Sequence, residues 1–529
     1  MPKCRGESAR AVESAVLLAQ GARPNRLSLL QYCPILVLTL IVLGNVWQRT
    51  DPDLWGHIRF GQEMLSLGRI VARDRYSYTA YGYPWNDYEY LTEIIMAAIY
   101  NAAGVRGLKL WKLACVSLTV LFLVEGLAET GAPSLIQLSM LGFAVLASGQ
   151  FSQFRPQLHS YVLFALTLAL LARGNFRRSG LIWLMIPVMF LWSNLHGGFV
   201  IGLITLALYA TTAAIMALSS QGSAGHHGEV LTIVGFAGTA TLLPPHGLIA
   251  WRAVLTTLSN PLTYKIFTEW QPLDTAIARQ WSFNHCGIVM YLFLIGLWLA
   301  LTGSVVKCRR GGDLPLIIIA IATGIAALKS VRNMPFAAMA CALPAARHLG
   351  LMLDPRTRTS RSFGRVPHWA QYALALAALL LTNREILSSQ LQTDMAYPSS
   401  AVRFMRERGL RGNVLVYFCW AEYVIWHLHD AKVFFDSRYD MVYPAQVTND
   451  YLAFYWDLPG AEKILTRYDH DFVLFPSAEK VCEEMIKMPG WKLIFHDATA
   501  SLFTRADSAA GQAIDRPVVG PSSQVQFFP

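Results

Sequence analysis

Residues 51–59, which read DPDLWGHIR, form the densest group of side chains able to do chemistry. A carboxylate such as Asp53, supported by Asp51, can take a proton from an attacking hydroxyl group. His57 and Arg59 can bind an anionic leaving group, because a guanidinium matches phosphate geometry. The alternative is a solvated segment in which Asp53 caps a helix, a common use of such a residue.

A second group of polar residues adjoins two later apolar runs. Glu89 and Glu93 are four residues apart and share a helix face, where they could flank a substrate, bind a cation or face water. Arg155, Gln157 and His159 stand between two apolar runs. Arg155 could snorkel to the interface, but on the outer side of a membrane it opposes the usual distribution of charge. That position favours a phosphate contact.

A third group lies at turns between apolar runs. Asn194 and His196 precede two glycines in the middle of an uncharged interval, and Arg332 and Asn333 follow another apolar run. Polar groups in apolar surroundings need partners and are often functional, although they could equally face lipid headgroups. Glu269 is weaker evidence, because it lies in a long loop.

The apolar runs that position these residues predict a membrane protein. Of 529 residues, 54% are hydrophobic and 15% are charged, against about 25% charged in soluble domains. A soluble core cannot hold several long uncharged runs, and backbone groups in lipid must bond within a helix. The uncharged runs are residues 27–48, 130–154, 179–228, 230–251, 280–306 and 366–383.

The basic residues predict the orientation. They form short clusters between apolar runs, as the positive-inside rule expects, so the net charge of +10 does not indicate nucleic-acid binding. The N-terminal segment, residues 1–29, is then cytoplasmic, and the part after residue 390 is extracytoplasmic. Keeping Asp53 and Arg155 on the same side requires an even number of crossings between them, yet residues 89–154 contain three apolar segments. One of the three is therefore expected to be re-entrant or to lie in the interface.

The predicted fold is an all-α polytopic membrane bundle of about 11 transmembrane helices with a small C-terminal α/β extracytoplasmic domain. The membrane domain covers residues 30–390 and includes an outer loop at 48–88. Alternating strand and helix patterns predict the α/β domain at 391–506, in which Asp436 and Arg438 either pair with each other or bind acceptor. Residues 507–529, rich in Pro, Ser, Gly and Gln, predict a disordered tail.

Together, these features resemble the GT-C superfamily of membrane glycosyltransferases, which includes protein mannosyltransferases and lipid A aminoarabinose transferases. The resemblance is architectural and is carried by Asp51-Pro52-Asp53 after the first span, by residues 85–93 and by Arg155-Pro156-Gln157. The Pro-Pro signature often found before the second span in these transferases is absent, and WNDYE stands there at 85–89.

The resemblance implies transfer of a sugar, with inversion, from a polyprenyl-phosphate donor to a hydroxyl of a lipid, glycan or protein on the outer face of a bacterial inner membrane. Asp53 would be the base, and Asp51 would support it. Arg155, Arg332 and His196 would face the lipid phosphate. The donor needs no nucleotide cofactor, and a divalent metal is possible, since some members use one and others do not.

Two other functions remain open. A lipid or glycan transporter would carry internal repeats and polar residues at mid-span, whereas here the polar residues cluster at helix ends. A non-catalytic assembly or scaffold protein would tolerate loss of Asp51 and Asp53. Convergence of Asp53, Arg155, His196 and Arg332 on one cavity would favour the enzyme.

Overall fold

The computed structural model describes residues 49–148, 153–177, 179–219, 225–275, 285–307, 312–352, 390–393, 395–521 and 527–529. The predicted spans at 34–47 and 368–383 and the predicted cytoplasmic segment at 1–29 lie outside these residues.

The chain is helical where long uncharged runs dominate the sequence. Apolar side chains cover most of these helices, whose backbone groups bond internally, whereas the helix Leu54–Leu67 also carries His57, Arg59 and Glu63. The helices are α1 (Leu54–Leu67), α2 (Tyr90–Glu129), α3 (Ser134–Ser148), α4 (Gln157–Arg177), α5 (Met185–Leu195), α6 (Phe199–Ser219), α7 (Gly225–Ala240), α8 (Gly247–Ser259), α9 (Pro261–Ile266), α10 (His285–Lys307), α11 (Leu314–Lys329) and α12 (Met334–Met352).

Length and hydropathy single out two of these helices. Within the described residues, Tyr90–Glu129 and Phe199–Leu218 are long and apolar enough to cross a membrane. The other apolar helices are shorter. The helical bundle is therefore observed, whereas the predicted number of about 11 spans is not confirmed.

A break in α2 accounts for the odd number of apolar segments between Asp53 and Arg155. Gly104 has φ 59° and ψ −150° inside the helix, a conformation that only glycine adopts readily. His159 contacts both Thr92, at 3.0 Å, and Trp111, at 3.4 Å. These two residues would be about 28 Å apart along a straight helix, so the chain reverses at Gly104. The segment before Gly104 packs on α1. The segment after Gly104 crosses the bundle in one direction, and α3 runs back in the opposite direction.

Two polar networks mark opposite ends of the bundle. At one end, Arg177 pairs with Glu129, and His348 lies 2.9 Å from Asp313. At the other end, the N–H of Val331 donates to the carbonyl of Gln271 at 3.1 Å and joins the loops after α9 and α11. His196, in the loop after α5, lines the same cavity as Arg332.

The C-terminal part is a mixed α/β domain, as predicted. Its central sheet has the order β4-β3-β5-β7-β6-β8. The pairs β3–β4, β3–β5 and β6–β8 are parallel, and β5–β7 and β6–β7 are antiparallel. The strands are β3 (Asn413–Val416), β4 (Lys432–Val433), β5 (Phe472–Pro476), β6 (Trp491–His496), β7 (Ala500–Arg505) and β8 (Val518–Val519). The helices are α13 (Ser399–Glu407), α14 (Ala421–His427), α15 (Ala445–Tyr455), α16 (Ile464–Arg467), α17 (Lys480–Lys487) and α18 (Ala509–Ala513).

The segment from 507 onward differs from the predicted disordered tail. Its described residues include α18, β8 and β9 (Phe527–Phe528). Strand β8 extends the central sheet, and β9 pairs with β2 (Leu391–Thr393). The polar composition misled the prediction because these residues gain order from strands made earlier in the chain.

The domain and the first loop share one core. Strand β1 (Arg49–Thr50) pairs with β2, and Trp55 of α1 is fully buried. The Trp55 ring lies 5.6 Å from Tyr397, 5.1 Å from Tyr423 and 4.4 Å from Phe528, between ring centroids. The start of α1 is therefore fixed by the C-terminal domain.

Candidate active site

The first loop orders its two carboxylates before α1 begins. An oxygen of Asp51 accepts the N–H of Asp53 at 3.0 Å, which closes a short turn. Asp53 occupies the N-cap position of α1, but its side chain makes no capping hydrogen bond. The side chain of Asp53 is thus turned away from the helix, and the capping alternative raised by the sequence does not apply.

Arg155 gathers three carboxylates. Its Nη2 lies 2.6 Å from Asp51 and 3.1 Å from Asp53, and its Nη1 lies 2.8 Å from Glu269. The second oxygen of Glu269 lies 2.7 Å from Nη1 of Arg332. The sequence ranked Glu269 as weak evidence, because nothing in a long loop shows that it returns to the first loop.

Arg332 keeps an open face toward the cavity. Its guanidinium stacks over the ring of Trp270 at 5.0 Å, and its side chain is 24% exposed. Stacking on the ring leaves the remaining N–H groups free to point toward a ligand, a common use of arginine at phosphate sites.

Hydrogen-bond partners fix the tautomer of His196. The indole N–H of Trp192 can only donate, and it donates to Oγ of Ser160 at 2.7 Å. The hydroxyl of Ser160 then donates to Nδ1 of His196 at 2.8 Å, and the N–H of Gly198 donates to the same atom at 2.9 Å. Nδ1 is therefore an acceptor, and the proton resides on Nε2, which lies 3.4 Å from Glu89.

The C-terminal domain supplies another wall. Glu422 of α14 accepts the N–H of Gly56 at 3.0 Å and the hydroxyl of Ser437. A Cβ on residue 56 would overlap the Glu422 carboxylate, so glycine is required for this approach. Asn260 donates to the hydroxyl of Tyr439 at 2.9 Å, which ties the domain to the loop after α8.

These walls line one cavity that is partly open to solvent. Asp53, Arg155, His196 and Arg332 all line it, which is the convergence that favours an enzyme. His57, Glu89 and Gln157 line it too. The sequence missed the other side of the cavity, formed by Glu422 and residues 437–441. The sequence feature that could have revealed this side of the cavity is Glu422, a lone carboxylate among the aromatic residues of a short apolar helix.

Other predicted site residues lie outside the cavity lining. Asp51 is buried behind Arg155, and Arg59 lies on α1 toward Tyr76. His159 contacts Thr92 and Trp111 in the bundle. Asn194 accepts the hydroxyl of Tyr90 and donates to the carbonyl of Phe190, whereas Asn333 donates to the carbonyl of Ala326 at the end of α11. These residues support the site from behind.

The two loop aspartates differ in their affinity for a proton. Burial raises the pKa of Asp51, but Arg155 outweighs burial, and the pKa of Asp51 falls below its usual value. Burial and the neighbouring charge of Asp51 raise the pKa of Asp53 well above its usual value. Asp53 is also the more exposed of the two, at 25% against 6%. It is the carboxylate with both access and basicity.

Other ionisable groups around the cavity are shifted by burial. Burial and the charge of Asp87 raise the pKa of Glu89 to about 7. Burial lowers the pKa of His57 to about 4 and lowers that of His196 well below its usual value. Both imidazoles are therefore neutral at pH 7, and Nδ1 of His57 lies within hydrogen-bond distance of Glu93, at 2.8 Å.

The carboxylates near Asp53 do not fit a divalent metal ion. Within the described residues, no three His, Cys, Asp or Glu side chains converge as metal ligands. The oxygens of Asp51, Asp53 and Glu269 point instead at the guanidinium of Arg155.

Comparison with known proteins identifies the fold. No family model and no curated protein matches the sequence. The oligosaccharyltransferase AglB from Archaeoglobus fulgidus, in complex with an inhibitory peptide and a dolichol-phosphate, aligns with TM-score 0.58 and 12% identity over 84% of this chain and 69% of its own. Its apo form gives TM-score 0.54 and 12% identity over 84% and 70%. The arabinofuranosyltransferase AftD from Mycobacteria gives TM-score 0.53 and 13% identity over 92% and 42%. The chain has the GT-C glycosyltransferase fold.

Proposed function

We propose that the protein is an integral membrane glycosyltransferase that moves a sugar from a polyprenyl-phosphate donor to an acceptor hydroxyl. The observation that carries this proposal is the position of Asp53. This accessible carboxylate with a raised pKa lines one cavity together with Arg332 and His196. The dolichol-phosphate bound by the archaeal AglB supports a lipid-linked donor.

The proposed reaction assigns a task to each group. The carboxylate of Asp53 takes the proton of the acceptor hydroxyl, whose oxygen attacks the anomeric carbon as the bond to the phosphate oxygen breaks. The polyprenyl phosphate leaves with that electron pair. Arg332 and the Nε2–H of His196 would stabilise its charge, because preorganised donors act strongly in a site that excludes water. Asp51 keeps Arg155 in place beside the base.

The location follows from the same proposal. A lipid phosphate would enter at headgroup depth, at the end of the bundle where Arg332, His196 and the C-terminal domain meet. With the basic N-terminal segment in the cytoplasm, this end and the domain face outward from a bacterial inner membrane. The acceptor is then a lipid, glycan or protein hydroxyl on the outer face.

The test is the variant Asp53→Asn, which keeps the shape of the side chain but cannot take the proton. Labelled sugar transfer from polyprenyl-phosphate donors in reconstituted vesicles should fall about 10²–10⁴-fold, with the thermal unfolding temperature unchanged. In the wild type the rate should rise with pH as Asp53 loses its proton, and the variant should lack this rise.

Asp274→Asn is the matched control, because Asp274 is exposed and does not line the cavity. Its transfer rate should equal that of the wild type. Full activity of Asp53→Asn would show that Asp53 is not the base. A wild type that transfers sugar from none of the lipid-linked donors would overturn the proposed function.

A further inference from the structure

The arrangement around Arg155 is that of a cation site already filled by the chain. Carboxylates from two separate segments, residues 51–53 and Glu269, direct oxygens at one guanidinium. Asp51 and Asp53 share a single nitrogen, Nη2. A divalent ion that bridged these two carboxylates would need the volume that Nη2 occupies.

The contact distances distinguish a site filled by the guanidinium from a site that binds a divalent metal ion. The nitrogen–oxygen distances of 2.6 Å, 3.1 Å and 2.8 Å are those of ion pairs between a guanidinium and carboxylates. Oxygen ligands approach Mg²⁺ or Ca²⁺ at about 2.0–2.6 Å, so the same oxygens cannot hold a guanidinium and bind a metal ion between them. The guanidinium and a metal ion are both positively charged, so at such a short separation they would also repel each other strongly.

Arg155 cannot vacate the site by losing its proton. A guanidinium stays charged in proteins, and this side chain is 17% exposed. Arg332 occupies the other oxygen of Glu269 at 2.7 Å, so the carboxylate that would complete a metal site is engaged on both oxygens. Carboxylate ligands, which suit Mg²⁺, Ca²⁺ and Mn²⁺, are thus present but committed.

We infer that Arg155 is a built-in cation that replaces a divalent metal ion, and that the site works without one. Its single charge neutralises Asp51 at 2.6 Å and holds Asp53 more loosely at 3.1 Å. A divalent ion would bind Asp53 through its charge and suppress its basicity, whereas the shared guanidinium orients Asp53 and leaves it able to accept a proton. The role of Arg155 during sugar transfer rests on the proposed function. The replacement of a metal ion by Arg155 rests on the geometry alone.

The experiment measures Mn²⁺ binding to the purified full-length protein in detergent, by the loss of the free Mn²⁺ signal in electron paramagnetic resonance. The wild type should bind no stoichiometric Mn²⁺, and its unfolding temperature should not change with EDTA or Mn²⁺. Arg155→Ala leaves three carboxylates around an open volume, so it should gain one Mn²⁺ site and be stabilised by the ion. The double variant Arg155→Ala/Asp51→Asn should lose that gain.

Stoichiometric Mn²⁺ binding by the wild type overturns the inference, and this arm needs no variant to fold. A folded Arg155→Ala that binds no Mn²⁺ also overturns it. Transfer by the wild type should be unchanged by EDTA, and EDTA-sensitive transfer would sink the inference while leaving the glycosyltransferase proposal intact. Absence of any transfer would sink the proposed function and leave the binding result standing.

Discussion

Two arginines at the cavity have similar carboxylate partners and opposite surroundings. Arg155 is shared by Asp51, Asp53 and Glu269, and the last two remain 25% and 21% exposed. Arg438 pairs with Asp74 at 2.6 Å and with Asp436 at 2.7 Å, and both carboxylates are fully buried.

Aromatic rings complete the enclosure of Arg438. Its guanidinium lies 5.1 Å from the ring of Phe60, 5.1 Å from that of Tyr76 and 4.9 Å from that of Trp85. These rings belong to the first loop, whereas Arg438 belongs to the C-terminal domain. The predicted pair of Asp436 and Arg438 therefore joins two parts of the chain. The comparison shows that the exposure of the carboxylate partners, and not their charge, distinguishes an arginine site that can contact substrate from one that stabilises the fold.

Loss of Arg438 should have the largest effect on stability. Arg438→Ala leaves Asp74 and Asp436 buried without a cation, which should cost about 3–5 kcal/mol and lower the unfolding temperature in detergent. Arg155→Ala is the matched variant and should cost less, because Asp53 and Glu269 reach solvent and Arg332 still pairs with Glu269. If Arg155→Ala destabilises the protein more than Arg438→Ala, the comparison is wrong.

Loss of Arg332 should weaken donor binding. Hydrogen bonds to charged groups contribute about 1.5–3 kcal/mol, so Arg332→Ala should raise KM for the lipid-linked donor about 10–100-fold with a smaller change in kcat. Lys329→Ala removes an exposed cation from the same helix end and should leave KM unchanged. An equal effect of the two variants would reduce Arg332 to a general electrostatic role.

Glu89 should make stability depend on pH in one direction. Its pKa of about 7 in the fold exceeds the ordinary value of 4.5, so the folded state holds the proton more tightly than the unfolded state. This stabilisation is present below about pH 4.5 and is lost as the pH rises through about 7. Comparison of urea unfolding for wild type and Glu89→Gln should isolate a difference of about 1–3 kcal/mol across this window. Parallel pH profiles for the two proteins would contradict the assignment.

Ser160 should have the smallest effect, through His196. Ser160→Ala removes the hydroxyl that donates to Nδ1 and leaves the N–H of Gly198 as the donor to that atom, so the ¹⁵N resonance of His196 Nδ1 should shift. A hydrogen bond contributes about 0.5–1.5 kcal/mol, which corresponds to a loss of transfer of about 2–10-fold. Ser148→Ala removes a hydroxyl that bonds only to its own helix and should change neither quantity. An unchanged His196 spectrum in Ser160→Ala would show that Ser160 does not position the ring.

The sequence predicted those parts of the site that a local residue pattern identifies. Asp53, Arg155, His196 and Arg332 stood out because polar groups are costly beside apolar runs, and the alternating strands of the C-terminal domain followed from residue pattern. The break at Gly104 was missed because an isolated glycine in an apolar run is common. Glu269 and Glu422 were undervalued because their partners lie far away in sequence, at Arg155 and Gly56.

The hydrogen bond between Glu422 and Gly56 sets an order of events during synthesis. The two residues are 366 positions apart, so at about 5–20 residues per second the ribosome makes the second roughly 20–70 s after the first. Until then the beginning of α1 lacks its carboxylate partner, and Trp55 lacks the aromatic rings that enclose it. The earlier helices can form first, but the first loop gains these contacts only when the C-terminal α/β domain folds. The wall of the cavity that Glu422 supplies is therefore absent until the segment that contains this residue has been made.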